Sequence, residues 1–178
     1  MINGSVRKGQ MTEKVSRFVL QTLKENYSDY EFELTDPRDW DLKFDDEGQS
    51  ACPPELRVKV KEADGFIIIT PEYNRGYPGS LKYLIDLNLK EYDHKPVAFV
   101  GVSAGIFGGT NVIENLLPVV RHVGLVASKV DMYVSNVAAV VDDDGEFKDV
   151  DIWKERVVEL ADELMWLARA LKSAAETV

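Results

Sequence analysis

A chain of 178 residues with a formal net charge of −10, 45% hydrophobic and 29% charged residues fits one globular domain with a substantial core. That charge offers no basic surface for nucleic acid, and no apolar run approaches the ~20 residues that span a bilayer. No charged-then-apolar leader opens the chain, so a cytoplasmic protein without membrane contact is expected.

In chain order, Met1-Ile2-Asn3 is followed by Gly4-Ser5-Val6-Arg7-Lys8-Gly9-Gln10-Met11-Thr12, a basic glycine-containing loop just before a helix. Backbone amides and the helix N-terminus form a site for an anion there. Ser5, Gln10 and Thr12 add neutral donors, and Arg7 can grip phosphate oxygens bidentately. A solvated turn looks similar, and the loop fits neither the nucleotide-triphosphate nor the dinucleotide glycine pattern.

The helix runs over Met11 to Asn26, with Val15, Phe18, Val19 and Leu23 on one face. Tyr30, Phe32 and Leu34 alternate with acidic residues, as in a sheet-edge strand with one wet face. A polar, acidic loop from Asp36 to Ala51 leads to a short helix opening at Pro53-Pro54-Glu55, with Leu56, Val60 and Ala63 inward. The single cysteine, Cys52, cannot close an internal disulfide, in keeping with a reducing compartment. Asp45, Asp46, Glu47 and Glu55 around it disfavour a thiolate, so it reads as an inert loop residue.

Gly65 to Ile69 is a strand buried on both faces, the pattern of a central strand in a parallel sheet. Thr70-Pro71-Glu72-Tyr73-Asn74-Arg75-Gly76-Tyr77-Pro78-Gly79 follows at its carboxyl end, where open α/β sheets bind ligands. Such a loop can hold a flat ring, although an ordinary strand-to-helix turn is the competing reading. A side chain at Gly76 is expected to block either the backbone conformation or the approach of a ring. A helix spans Ser80 to Leu89, bearing Leu81, Leu84, Ile85 and Leu87. A second apolar strand, Pro96 to Val102, runs into Ser103-Ala104-Gly105-Ile106-Phe107-Gly108-Gly109.

The helix from Thr110 to about Gly124 contains Pro118, which should kink it. Val126 to Val134 reads as a last strand and Asp142 to Gly145 as a turn. The final helix carries Trp153, Val157, Leu160, Leu164, Leu167 and Leu171 at near-heptad spacing. Packing on the sheet is preferred over pairing between subunits. His94 and His122 lie far apart with no ligands at metal spacing, so neither a metal site nor a catalytic triad is expected. Strands alternating with helices throughout 1–178 give one domain of α/β class with a doubly wound parallel sheet.

Three loops in the order Gly-Ser-x-Arg, Pro-Glu-Tyr-Asn and Ser-x-Gly-x-x-Gly-Gly, each placed as above, resemble the NADPH-dependent FMN reductase family, which includes quinone, azo-dye and chromate reductases. The resemblance covers essentially the whole chain. It implies a flavodoxin-like fold of strand order 2-1-3-4-5, FMN as cofactor, NADPH or NADH as co-substrate and a small-molecule electron acceptor. It also implies that Ser5 and Arg7 hold the FMN phosphate, with Gln10 where many members carry a hydroxyl residue and Thr12 where the family often places asparagine. Pro71, Glu72, Tyr73 and Asn74 would line the isoalloxazine. Ser103, Gly105 and Gly108 would approach the pyrimidine side or the ribityl chain.

No catalytic side chain is required by the implied chemistry, because the flavin carries it. Arg75 reads either as a contact for a 2′-phosphate or as a solvated arginine. Two other functions remain in view: an FMN electron shuttle like flavodoxin, and a flavin-free protein. A homodimer or dimer of dimers is expected, with the flavin near the boundary and Tyr77, Tyr83 and Leu87 as candidates for the contact. One departure stands out: only three residues precede the phosphate loop. The first strand therefore reads as truncated, which would strip the Ile67 strand of one ladder and open a gap in the core.

Overall fold

The computed structural model describes residues 1–42, 47–175 and 177, so Asp45 and Asp46 lie outside the described residues. Five strands form a parallel sheet: β1 (Ile2–Asn3), β2 (Phe66–Pro71), β3 (Pro96–Val102), β4 (Val126–Ala127) and β5 (Met132–Val134). The order is β1-β2-β3-β4, with β5 also on β3. Helices α1 (Met11–Asn26), α2 (Pro54–Glu62), α3 (Gly79–Asp86), α4 (Thr110–His122), α5 (Val137–Val140) and α6 (Val150–Ala175) occupy the connections.

Side chains alternate along the central strands into two separate cores, as the pleat requires. Phe66 and Ile68 of β2 and Val97 and Phe99 of β3 face a cluster with Leu56, Leu81, Leu84 and Leu116 from α2, α3 and α4. Ile67, Ile69, Ala98 and Val100 face the opposite cluster, with Val15 and Val19 of α1 and Leu160 and Leu164 of α6. Each fully buried aliphatic side chain contributes about 1.5–3 kcal/mol of transfer free energy, so both layers hold the sheet. The seam on α6 packs on the sheet through Val157, Leu160 and Leu164.

The alternating segment at 30–34 does not form the expected strand. Its aromatics stack on one another instead, Tyr27 and Tyr30 with Phe32. Only 33–35 joins the sheet edge: the Met1 amine donates to the Glu33 carbonyl, Thr35 N–H to Met1 O, and Asn3 N–H to Thr35 O. This places 33–35 outside β1, consistent with the order 2-1-3-4-5.

β1 is short, with two register pairs to β2, Ile2 with Ile68 and Asn3 with Ile69. Next to it lies a cleft of about 720 Å³, lined by Tyr30, Phe32, Val60, Phe66, Leu164 and Met165 among others.

The last strand is also interrupted. β4 pairs with the start of β3 and β5 with its end. Between them the Asp131 carboxylate, rather than a backbone carbonyl, accepts the Phe99 N–H at 3.3 Å. Leu87, expected at a subunit contact, is buried in this chain's own core, and Tyr77 and Tyr83 pack against that core. Among the described residues no helix is long and apolar enough to cross a membrane.

Candidate functional site

Three loops leave the carboxyl ends of β1, β2 and β3, and hydrogen bonds tie them into one surface. The first, 4–10, begins where the Gly4 N–H donates to the Ile69 carbonyl at 2.7 Å. A Cβ at Gly4 would lie 2.9 Å from the Thr70 side chain, so this loop runs against β2 as closely as backbone allows. Ser5 is fully buried; its carbonyl accepts from Gln10 Nε2 at 2.7 Å and Asn3 Nδ2 at 3.2 Å. Its Oγ accepts the Arg7 N–H at 3.3 Å.

Arg7 and Lys8 are exposed, and Gly9 turns the chain at φ +68°. Gln10 sits at the N-cap of α1 without capping it through its side chain. The first-turn amides of α1 are thus open to an anion. Thr12, expected beside Ser5 and Arg7 as a donor, is buried in that first turn, where its carbonyl accepts from Ser16 Oγ.

In the second loop Pro71 ends β2, buried. The Glu72 N–H donates to the Val102 carbonyl, and Glu72 Oε1 accepts from Asn111 Nδ2 of α4 at 2.9 Å. Tyr73 and Gly76 exchange two backbone hydrogen bonds of 2.9 Å. Between them Asn74 and Arg75 take φ of 51° and 68°, the two positive angles of a type I′ turn. Positive φ falls on Asn74 and Arg75 and not on Gly76, so of the two reasons expected for a glycine there the backbone conformation does not apply. A Cβ at Gly76 would meet only the Tyr73 carbonyl, at 3.7 Å. Asn115 Nδ2 donates to the Arg75 carbonyl and steadies the turn from α4.

The third loop is held from both ends. The Ser103 N–H donates to the Val134 carbonyl, the Asn136 N–H to Gly105 O, and the Val137 N–H to Ser103 O. Ser103 Oγ accepts the Gly105 N–H at 2.9 Å. Gly108 has φ +62°, with its missing Cβ 2.8 Å from that of Tyr133. Gly105 has no such constraint, its nearest neighbour being Ser103 Oγ at 3.5 Å.

Ser5 Oγ and the Tyr73 hydroxyl share a hydrogen bond of 3.1 Å, which closes the first loop onto the second. The second joins the third through β3 and α4. Ser5, Gln10 and Tyr73 are therefore brought together directly, with Arg7 on the open side. Glu72 and Ser103 flank the end of β3.

Sequence reasoning passed over four contributors. Asn3, fully buried, donates Nδ2 to Asp36 Oδ2 at 2.6 Å. Asp36 in turn accepts from the Arg38 N–H, Nε and Nη2 at 2.7–2.9 Å. Burial pushes the Asp36 carboxyl up, but these bonds outweigh it and hold it below its ordinary range. An asparagine in a short apolar strand and an aspartate before Pro37 were the available signals. The other contributors are Ile106 and Phe107, 72% and 66% exposed on the pinned third loop, which leaves two large apolar side chains facing solvent beside the site.

Among the described residues, Gln10 Oε1 and Glu72 Oε2 are buried without a hydrogen-bond partner. The arrangement thus offers cationic and amide donors at the first loop, an unpaired acceptor at the second, and an apolar wall at the third. A ligand that fits carries an anionic group at one end and ring or hydroxyl donors further along.

The sequence model of the family described as NADPH-dependent FMN reductase matches residues 1–139. Over 159 residues the chain is 26% identical to a quinone reductase of Pseudomonas putida, an alignment covering 84% of this chain and 83% of that protein. It is 32% identical over 119 residues to an NADPH azoreductase of Bacillus sp. strain OY1-2, covering 65% of this chain and 64% of that one. Its structure is similar to that of the flavoenzyme NAD(P)H:(acceptor) oxidoreductase FerB of Paracoccus denitrificans. The TM-score is 0.74 at 29% identity, covering 94% of this chain and 95% of that chain.

Proposed function

Because the chain belongs to the NADPH-dependent FMN reductase family, we propose that it is an FMN-dependent NAD(P)H oxidoreductase whose acceptor is a small molecule of the quinone, azo, chromate or free-flavin type. When bound, FMN supplies a ring that accepts hydride from nicotinamide and returns the electrons to an acceptor in a second step. The observation that carries this reading is the closure of the first loop on the second. Ser5 Oγ meets the Tyr73 hydroxyl at 3.1 Å, so phosphate-type donors and a ring-lining loop share one mouth.

The residues have separable tasks. Arg7, Ser5 and the first-turn amides of α1 hold the phosphate group. The type I′ turn at Asn74 and Arg75 fixes main-chain groups where the ring rests, and Glu72 Oε2 accepts from a ligand N–H or O–H. Gly108 and Gly109, both at positive φ, let the third loop approach without side chains. Such fixed backbone donors stabilise negative charge developing on a ligand without reorganising. Ile106 and Phe107 give apolar cover on the open side, which supports a homodimer or dimer of dimers with the site near the boundary. A buried, unpaired Cys52 accords with a cytoplasmic location.

Steady-state oxidation of NADH and NADPH by the purified protein, with added FMN and a panel of quinone, azo, chromate and flavin acceptors, tests the proposal. Turnover with one acceptor class and a bound flavin spectrum is expected. Bound flavin without NAD(P)H oxidation would favour an electron shuttle.

A further inference from the structure

We infer that Asp36 is a positioning residue for the phosphate-binding loop, acting through Asn3 on the peptide that joins Ser5 to Val6. The inference rests on the reading of 4–10 as a phosphate loop.

In a trans peptide the carbonyl and the following N–H point in opposite directions. Two buried amides, Asn3 Nδ2 and Gln10 Nε2, hold the Ser5 carbonyl toward the interior. The Val6 N–H is thereby directed away from that interior, to the side where Val6 and Arg7 are exposed. With the peptide reversed, a carbonyl oxygen would face the anion and repel it. The orientation of this one peptide therefore decides whether the loop attracts or rejects a phosphate.

Asn3 can hold the carbonyl only while its own amide is fixed. Asp36 Oδ2 takes the Asn3 Nδ2 at 2.6 Å, and Arg38 locks Asp36 with three bonds. Arg38 reaches on to Glu13 Oε2 at 2.7 Å, in the first turn of α1. The chain of contacts thus runs from the end of β1 through Asn3, Asp36, Arg38 and Glu13 to the start of α1, spanning both ends of the loop. Arg38 also neutralises a carboxylate that would otherwise oppose an incoming phosphate.

The experiment compares the full chain with Asp36→Asn and Asp36→Ala. FMN and riboflavin, which differ by the phosphate, are titrated into flavin-free protein by fluorescence. Backbone 15N relaxation of Val6, Arg7 and Lys8 is recorded alongside thermal unfolding. The expected result for Asp36→Asn is FMN affinity about tenfold weaker, corresponding to about 1.4 kcal/mol, with riboflavin affinity within a factor of two and raised mobility at 6–8. Asp36→Ala should be worse in the same direction. Equal losses for FMN and riboflavin, or no change in either, overturn the inference. If the parent bound neither flavin, the functional reading would fail, and loop mobility would still decide the role of Asp36: unchanged relaxation at 6–8 in a folded Asp36→Asn chain overturns it.

Discussion

Gly101→Ala is the most informative single substitution, because it separates the packing of the third loop from its chemistry. A Cβ at Gly101 would lie 2.6 Å from the Gly108 carbonyl oxygen and 3.1 Å from Gly109 Cα and O. All three neighbours are backbone, so no side chain can rotate away. β3 cannot yield either, since Gly101 is paired with Thr70 on one side and Tyr133 on the other. The third loop must therefore lift by about 0.8 Å to reach an ordinary 3.4 Å contact.

Such overpacking costs about 1–3 kcal/mol, partly offset by about 0.4–1 kcal/mol from a stiffer unfolded chain. A net loss of about 1–2 kcal/mol lowers Tm by roughly 2–8 °C in a chain of this size. Gly105→Ala is the control. Its nearest contact is 3.5 Å to Ser103 Oγ, so Tm should stay within about 1 °C. Circular dichroism melts with FMN fluorescence titration should show a lower Tm and weaker FMN binding for Gly101→Ala alone. Equal effects at both glycines, or none at Gly101, would refute the reasoning.

Arg7→Ala should weaken FMN binding by about 1.5–3 kcal/mol while leaving the melting of the flavin-free protein unchanged, since Arg7 is exposed and outside the core. Tyr73→Phe removes the hydroxyl that meets Ser5 Oγ, and a loss of about 0.5–1.5 kcal/mol in FMN affinity is expected from titration. Acid melts read the Asp36–Arg38–Glu13 group. Both carboxyls lie below their ordinary range, Asp36 against its burial and Glu13 chiefly through its hydrogen bond from Arg38. Their stabilising contribution is full above about pH 4 and is lost as pH falls through the lowered values. Asp131 has the opposite sign, because burial pushes its carboxyl up. Stability falls as pH rises from about 4 through the raised value, so Asp131→Asn should raise Tm at pH 7 and leave it unchanged near pH 3.

The central sheet was readable because its chemistry is local and repetitive. Unbroken apolar runs at 66–69 and 96–102 have few alternatives to a strand buried on both faces, and β3 falls within its expected bounds. The edges were not readable. Tyr30, Phe32 and Leu34 alternate as a strand does, but the Tyr30 and Phe32 rings find partners in each other and in Tyr27 before a neighbouring strand. At 126–134 the break depends on the Asp131 side chain reaching β3, a tertiary contact with no sequence period. Ser5, Gln10 and Tyr73 were singled out by residue type and lie together in the structure, whereas Asp36 and Asn3 meet only in the fold, across 33 positions. The backbone constraint expected at Gly76 lies one and two residues earlier for a similar reason: the turn type fixes which residues take positive φ, and glycine marks the neighbourhood without marking the position.

The two-residue ladder of β1 also bears on the order in which the molecule comes apart. β2 and β3 are joined through six register pairs, β1 and β2 through two. Opening 1–10 breaks few ladder bonds and leaves the β2–β3 centre and both cores largely intact, so it is a sub-global event well below global unfolding in free energy. Its return requires closure against residues more than sixty positions away, which is slow relative to local turns. The first loop therefore belongs to a weakly held cooperative unit and is among the last parts to assemble. Any ligand that bridges it to the second loop acts as the fastener of that unit. Native-state amide exchange should find the Asn3 and Gly4 N–H groups released together, earlier than Ile68 and Val100, and retarded together when the site is filled.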